Sequence, residues 1–265
     1  MKDKQNQFYT SISKYYSEIF PYKPMQLQFV KKRVGELTEK KILDIGCATG
    51  ELAFNLVKEG ANVLGIDLNK DLLDQAIGCG GFRSADSSKS ELEPVKNMVP
   101  PPNPKFQVGN MLELETDFQT GLFDSVLCFG NTLVHLQSLE LIQRMLKGVF
   151  VVLKPGGHFL LQILNYDFIF DEQVSELPLI DTENIRFIRK YRFVNNSRLI
   201  RFQTDLEIKK ENRIVSNETS LFALKSAELV NLLKRSGFTD IELFSNFKQD
   251  PFGGKHLPLV VSCKK

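Results

Sequence analysis

The segment KILDIGCATG, residues 41–50, constrains this chain more than any other. Ile42, Leu43 and Ile45 form a short apolar run with one acid, Asp44, inside it, and the run stops at Gly46. Gly50 closes the loop, and an amphipathic stretch, ELAFNLVKEG, follows. A buried strand that ends in a glycine loop and restarts as a helix lets backbone amides approach a ligand closely.

The loop also narrows the choice of ligand. A triphosphate-binding loop ends in Gly-Lys-Ser/Thr, whereas Glu51 follows Gly50 here. The dinucleotide fingerprint needs G-x-G-x-x-G; this loop is G-x-x-x-G, and the acid at its end repels a diphosphate. The second strand ends in GIDL, and an acid about 20 residues after a glycine loop accepts from ribose hydroxyls. Asp67 is that acid, although the same residue type also caps helices. A ligand with a ribose but no diphosphate is expected, and a nucleoside such as that of S-adenosylmethionine satisfies both conditions.

Strand and helix patterns alternate along the chain. Residues 7–37 read as a helical arm broken by Pro21 and Pro24. KILDI, NVLGIDL, KFQVGN, FDSVLCFG and HFLLQILN read as strands, with helices after the first two and over SLELIQRMLKGVFVVL, where Ser138 is the expected N-cap. KPGG reads as a turn. DIELFSN and LPLVVSC close the chain as strands, after a helix over SAELVNLLKRSG capped by Ser226. The fold class expected is α/β: a doubly wound, seven-stranded, mostly parallel sheet in a single domain spanning 1–265. Two segments interrupt it. Residues 79–104, rich in Gly, Ser and Pro, read as a mobile surface loop. Residues 186–222 alternate with period two over about three strands, an antiparallel meander expected to cover a substrate pocket.

The formal net charge of +2 gives no electrostatic footprint for nucleic acid. Arg186, Arg189, Lys190, Arg192, Arg198 and Arg201 cluster in the meander and read as the solvated face of alternating strands. Cys47, Cys79, Cys128 and Cys263 are scattered, without the spacing of a zinc site, and His135, His158 and His256 are dispersed, so no metal is expected. Reduced cysteines and a start without an apolar signal core suit a cytoplasmic protein. No apolar run reaches membrane-spanning length, so no membrane partner is expected.

ILDIGCATG, GIDL, VGNMLEL, FDSVLCFGNTLVHL and LKPGGHFLLQIL, taken in order, resemble the successive motifs of class I S-adenosylmethionine-dependent methyltransferases, with their Rossmann-like fold. The C-terminal half resembles small-molecule members related to glycine N-methyltransferase. The resemblance implies S-adenosylmethionine as cofactor and S-adenosylhomocysteine as product. It implies that Asp44 and the loop residues Gly46, Cys47, Ala48 and Gly50 pack against the methionine portion. Asp67 would hold the ribose hydroxyls, Leu68 and Met111 would flank the adenine, and Asn110, where the family carries an acid, would accept from the adenine amino group. Ala48 replaces a common glycine, and since alanine tolerates positive φ poorly, a different backbone is expected there. Tyr9 and Tyr16 are candidates for an aromatic over the cofactor.

Ligands of open parallel sheets sit beyond the strands' carboxyl ends. Phe129 and Gly130 are therefore expected near the transferred methyl, with Asn131 and His135 as candidate catalytic residues and Asn165 and Tyr166 at the same edge. His135 can orient or deprotonate a nucleophile or can simply be a packed histidine. The acceptor expected is nitrogen or oxygen of a small molecule. A methyltransferase acting on RNA or protein and a non-catalytic cofactor-binding module are the alternatives. Monomer and homodimer both stay open.

Overall fold

A computed structural model describes residues 2–79 and 103–265. The arm comprises α1 (Lys2–Ile12), a 3-10 turn at Ser13–Tyr15, α2 (Tyr16–Ile19) and α3 (Pro24–Val34). Then come β1 (Lys41–Ile45), α4 (Glu51–Lys58), β2 (Asn62–Asp67), α5 (Lys70–Cys79), β3 (Lys105–Val108), α6 (Leu114–Asp117) and β4 (Phe123–Cys128). A 3-10 turn at Thr132–His135 leads to α7 (Leu139–Val152), β5 (Leu153–Leu164) and α8 (Tyr166–Asp171). The antiparallel strands are β6 (Ile180–Asp181), β7 (Ile185–Phe193), β8 (Leu199–Ile208) and β9 (Arg213–Phe222), and α9 (Ser226–Arg235), β10 (Thr239–Phe244) and β11 (Pro258–Lys264) follow.

The main sheet has seven strands in the order β10-β11-β5-β4-β1-β2-β3. Only β11 runs against its neighbours, pairing antiparallel with both β5 and β10. Ile42 to Ile45 are buried without alternation because helices cover both faces of the sheet. On one face, Ile142, Met145, Leu146 and Val149 of α7 pack with Leu229 and Leu233 of α9. On the other, Phe29 and Val30 of α3 pack with Ala53 and Leu56 of α4. Burying side chains of this size stabilises by about 1.5–3 kcal/mol each. A third apolar cluster joins Phe8 and Ile12 of α1 to Phe187 and Leu206 of the four-stranded sheet β6-β7-β8-β9. That cluster holds the arm and the meander together beside the main sheet.

β1 pairs with β2 on one side and β4 on the other. The chain therefore reverses direction across the sheet between β1 and β4, and a crevice opens at their carboxyl ends.

Several local expectations change. KPGG does not stand outside the strand: β5 begins at Leu153 and runs through it, with Gly156 at φ +75° where the pairing with β4 slips. The meander has a fourth short strand, β6, before the three expected. Ser138 does cap α7, its hydroxyl accepting from the Leu141 amide at 3.2 Å. Ser226, by contrast, is the first residue of α9; Lys225 occupies the cap, and the Glu228 carboxylate accepts from its amide at 3.1 Å. Apart from 79, 103 and 104, the expected mobile loop lies outside the described residues.

Candidate active site

A cavity sits at the crevice, lined from five directions. β1 and the turn after it contribute Ile45 and Gly46, β2 and the turn after it contribute Ile66, Asp67, Leu68 and Asn69, and the turn after β3 contributes Gly109 and Met111. Gly130, Thr132 and His135 follow β4, and the arm closes the cavity with Gln5, Asn6, Tyr9 and Tyr16.

Gly46 has φ +72°, and its amide donates to the Ile66 carbonyl at 2.8 Å. A Cβ there would lie 2.6 Å from both Cγ2 and Oγ1 of Thr132. Glycine is thus needed for the loops after β1 and β4 to meet. Ala48 corrects the sequence reading: it adopts the left-handed conformation, φ +49°, that alanine disfavours. Its amide is spent on the Asp67 Oδ2 at 3.0 Å rather than on the cavity.

Asp67 is the cavity's acid. Its Oδ1 accepts from the Asn69 amide at 2.8 Å, so the carboxylate is fixed from both sides. Burial raises its pKa, opposed by those amide donors. Asp44 lies beneath, 5% exposed, its pKa pushed up to about 7 by burial first and by Asp67 second.

The arm is bonded into place. The Asn69 side chain donates to Asn6 Oδ1 at 2.7 Å and to Thr10 Oγ1 at 3.0 Å, while its Oδ1 caps α5 by accepting from the Leu72 amide at 2.9 Å. Glu51, read as repelling a diphosphate, accepts from the Tyr22 amide at 3.0 Å. Ser17 and Thr49 hydroxyls meet at 3.1 Å.

Tyr9 and His135 form the roof. The Tyr9 hydroxyl lies 2.8 Å from His135 Nε2, and the Nδ1 atom is buried without a partner. Burial lowers the His135 pKa to about 4, so the ring is neutral at neutral pH and can accept a hydrogen bond. The Tyr9 hydroxyl is held well above its usual range by burial and by the nearby Asp67 charge.

Of the residues singled out from sequence, Gly46, Asp67, Leu68, Met111, Gly130, His135, Tyr9 and Tyr16 meet at this cavity. Asp44, Cys47, Ala48, Gly50, Asn110, Phe129 and Asn131 do not line it. Gly50 serves packing, since a Cβ there would lie 2.4 Å from Phe106 Cζ. Asn110 Oδ1, the carbonyl expected to read adenine, accepts from the Leu112 amide at 3.2 Å, and its Nδ2 donates to Glu113 Oε1 at 2.6 Å. Phe129 packs against Phe247, ring centroids 5.1 Å apart. The Asn131 amide is spent on the Leu164 amide at 2.9 Å and the Tyr166 hydroxyl at 3.1 Å. Asn165 caps α8, accepting from the Phe168 amide at 3.2 Å, and Tyr166 is fully buried. Asn69, Asn6 and Gln5 were missed; the helix-capping position of Asn69, two residues after Asp67, was the available signal.

The residues present fit S-adenosylmethionine. Among the described residues no Lys or Arg lines the cavity, which disfavours phosphate, and the fixed Asp67 carboxylate suits hydroxyl donors.

A methyltransferase domain model matches residues 37–186, more than half of the chain, and the chain belongs to that family. It is 31% identical over 142 residues to the ubiquinone biosynthesis O-methyltransferase of Acinetobacter baumannii (strain ACICU), covering 54% of this chain and 51% of that protein. The match thus spans about half the length of that curated relative. Among solved structures, an S-adenosylmethionine-dependent methyltransferase from Clostridium acetobutylicum ATCC 824 superposes with a TM-score of 0.75 at 16% identity, covering 97% of this chain and 98% of that one. The CcbJ methyltransferase from Streptomyces caelestis gives 0.75 at 17% identity over 95% of each chain. These likenesses extend the shared fold over the arm and the antiparallel sheet as well as the main sheet. No helix among the described residues is long and apolar enough to cross a membrane.

Proposed function

We propose that this protein is a cytoplasmic S-adenosylmethionine-dependent methyltransferase that methylates nitrogen or oxygen of a small molecule. The observation that carries the reading is the cavity itself: an acid fixed by two backbone amides, a glycine loop, no lining cation among the described residues, and an aromatic roof from the arm. When bound there, the cofactor supplies an electrophilic methyl carbon for in-line displacement. The chain's own part is to position and to exclude water. Asp67 holds the ribose hydroxyls, and Leu68 and Met111 supply apolar surface for the base. Tyr9 and Tyr16 close the cavity from above. Neutral His135 orients the nucleophile through Nε2 and the Tyr9 hydroxyl. The sheet β6 to β9 closes the acceptor side.

A small acceptor is favoured over RNA because the exposed arginines of the meander are interleaved with acids: Arg186 pairs in register with Glu207, and Arg201 lies 4.0 Å from Glu218. The test is methyl-labelled S-adenosylmethionine with the full chain and a panel of small amines, phenols and carboxylic acids, with RNA and protein as further arms. Label transferred to a small molecule is the expected result. Label transferred only to RNA or protein would overturn the substrate class.

A further inference from the structure

Among the described residues, three buried side-chain polar atoms lack a partner: His135 Nδ1, Arg189 Nε and Thr204 Oγ1. The first belongs to the cavity roof. The other two face each other on the meander, where Arg189 is paired in register with Thr204. Residues opposed on one face of antiparallel strands have neighbouring side chains.

Arg189 departs from the solvated basic face read from the sequence. Arg186, Lys190, Arg192 and Arg201 are exposed on the outer face, whereas Arg189 shares the inner face with buried Phe187 and Tyr191. Its Nη2 donates to the Pro178 carbonyl at 2.7 Å, and among the described residues it has no carboxylate partner in an ion pair. Thr204 is 2% exposed. A half-buried cation beside a buried, unsatisfied hydroxyl is costly unless an anion joins them.

Packed side chains link this patch to the cavity. Tyr191, two residues from Arg189 on the same face, has its hydroxyl close to that of Tyr166. The Tyr166 hydroxyl meets the Asn131 amide, and Asn131 stands between the cavity residues Gly130 and Thr132. Phe202, opposite Tyr191, contacts Phe8 next to Tyr9, centroids 5.8 Å apart. The acids Asp67 and Asp44 lie at the other end, beneath the glycine loop.

We propose that Arg189 and Thr204 receive an oxyanion of the methyl acceptor, so that the substrate is a small molecule carrying a carboxylate or a phosphate monoester. The guanidinium donates paired hydrogen bonds to such a group and the Thr204 hydroxyl adds a further donor. The acceptor is thereby oriented, anion toward the meander and nucleophile toward the cavity. The inference rests on the small-molecule reading above.

The test is an NMR titration of the arginine Nε–H signals of the full chain with inorganic phosphate, sodium acetate and methylammonium chloride, each with and without saturating S-adenosylhomocysteine. Arg189→Lys identifies the signal. The expected result is a saturable shift of the Arg189 signal with phosphate or with acetate and none with methylammonium; which anion saturates assigns phosphate monoester or carboxylate. Thr204→Val should weaken that binding about tenfold while leaving the free chain as stable or more so, because it removes an unpaired hydroxyl. A purely structural Thr204 would lose stability instead. No saturable shift with either anion, or equal small shifts of all arginine signals from ionic screening, would overturn the proposal. S-adenosylhomocysteine binding in the same samples reports the cofactor reading separately, and the anion result stands in the free chain whichever way that falls.

Discussion

The Tyr9 hydroxyl lies 2.8 Å from Nε2 of His135, joining the first helix of the arm to the turn after β4 across 126 positions. The contact covers Nε2 of the half-buried histidine and closes the cavity. Its consequence is a ring that stays neutral down to a pKa of about 4 instead of the ordinary 6.5. An NMR titration of the His135 ring should therefore be flat from pH 8 to well below 6; a midpoint near 6.5 would contradict the buried pair. His135→Ala should lower turnover more than it lowers affinity for S-adenosylhomocysteine.

The same shift has a stability sign. Between about pH 6.5 and about pH 4 the unfolded histidine binds a proton that the folded one refuses. Its contribution is complete above that window and is lost as pH falls through it. Asp44 acts the other way: folded, it keeps its proton up to about 7, while unfolded it ionises near 3.8. Its cost therefore grows as pH rises between those values. Urea denaturation of Asp44→Asn against the parent chain should show a stability gain that increases from pH 4 to pH 7 and then levels off. A difference independent of pH would place the proton elsewhere.

Asp67 should be the costliest cavity residue to remove. Asp67→Ala should weaken S-adenosylhomocysteine by about 1.5–3 kcal/mol, the range for hydrogen bonds to a charged group. Calorimetry on the variant reads this directly, and unchanged affinity would remove Asp67 from the site.

The glycine loop makes two opposed predictions. Ala48→Gly relieves a left-handed alanine and should stabilise by up to about 1 kcal/mol. Gly50→Ala places a methyl against Phe106 at φ +74° and should destabilise by about 1–3 kcal/mol. Thermal melts of the two variants distinguish these outcomes.

Much of the architecture was legible because it is local. KILDI and FDSVLC announce themselves as continuously apolar strands, and the G-x-x-x-G loop with Asp67 at the next strand end locates the crevice. What escaped depends on which loops pack on which. Nothing in the spacing says that Ala48 spends its amide on Asp67, or that Asn110 and Asn131 are consumed by their own neighbours. A polar residue at the right strand end is equally suited to hold a ligand or a turn, and only the partners decide. Arg189 is the sharpest case. Period two assigns it a face, yet the run Arg186 to Arg192 is so basic that composition masks the one arginine turned inward.

The most direct test of the central claim is calorimetric titration of the full chain with S-adenosylhomocysteine, with NAD and ATP as controls. The account predicts saturable binding of the first alone, weakened in Asp67→Ala. Binding of NAD or ATP in preference, or no binding of S-adenosylhomocysteine, would contradict it.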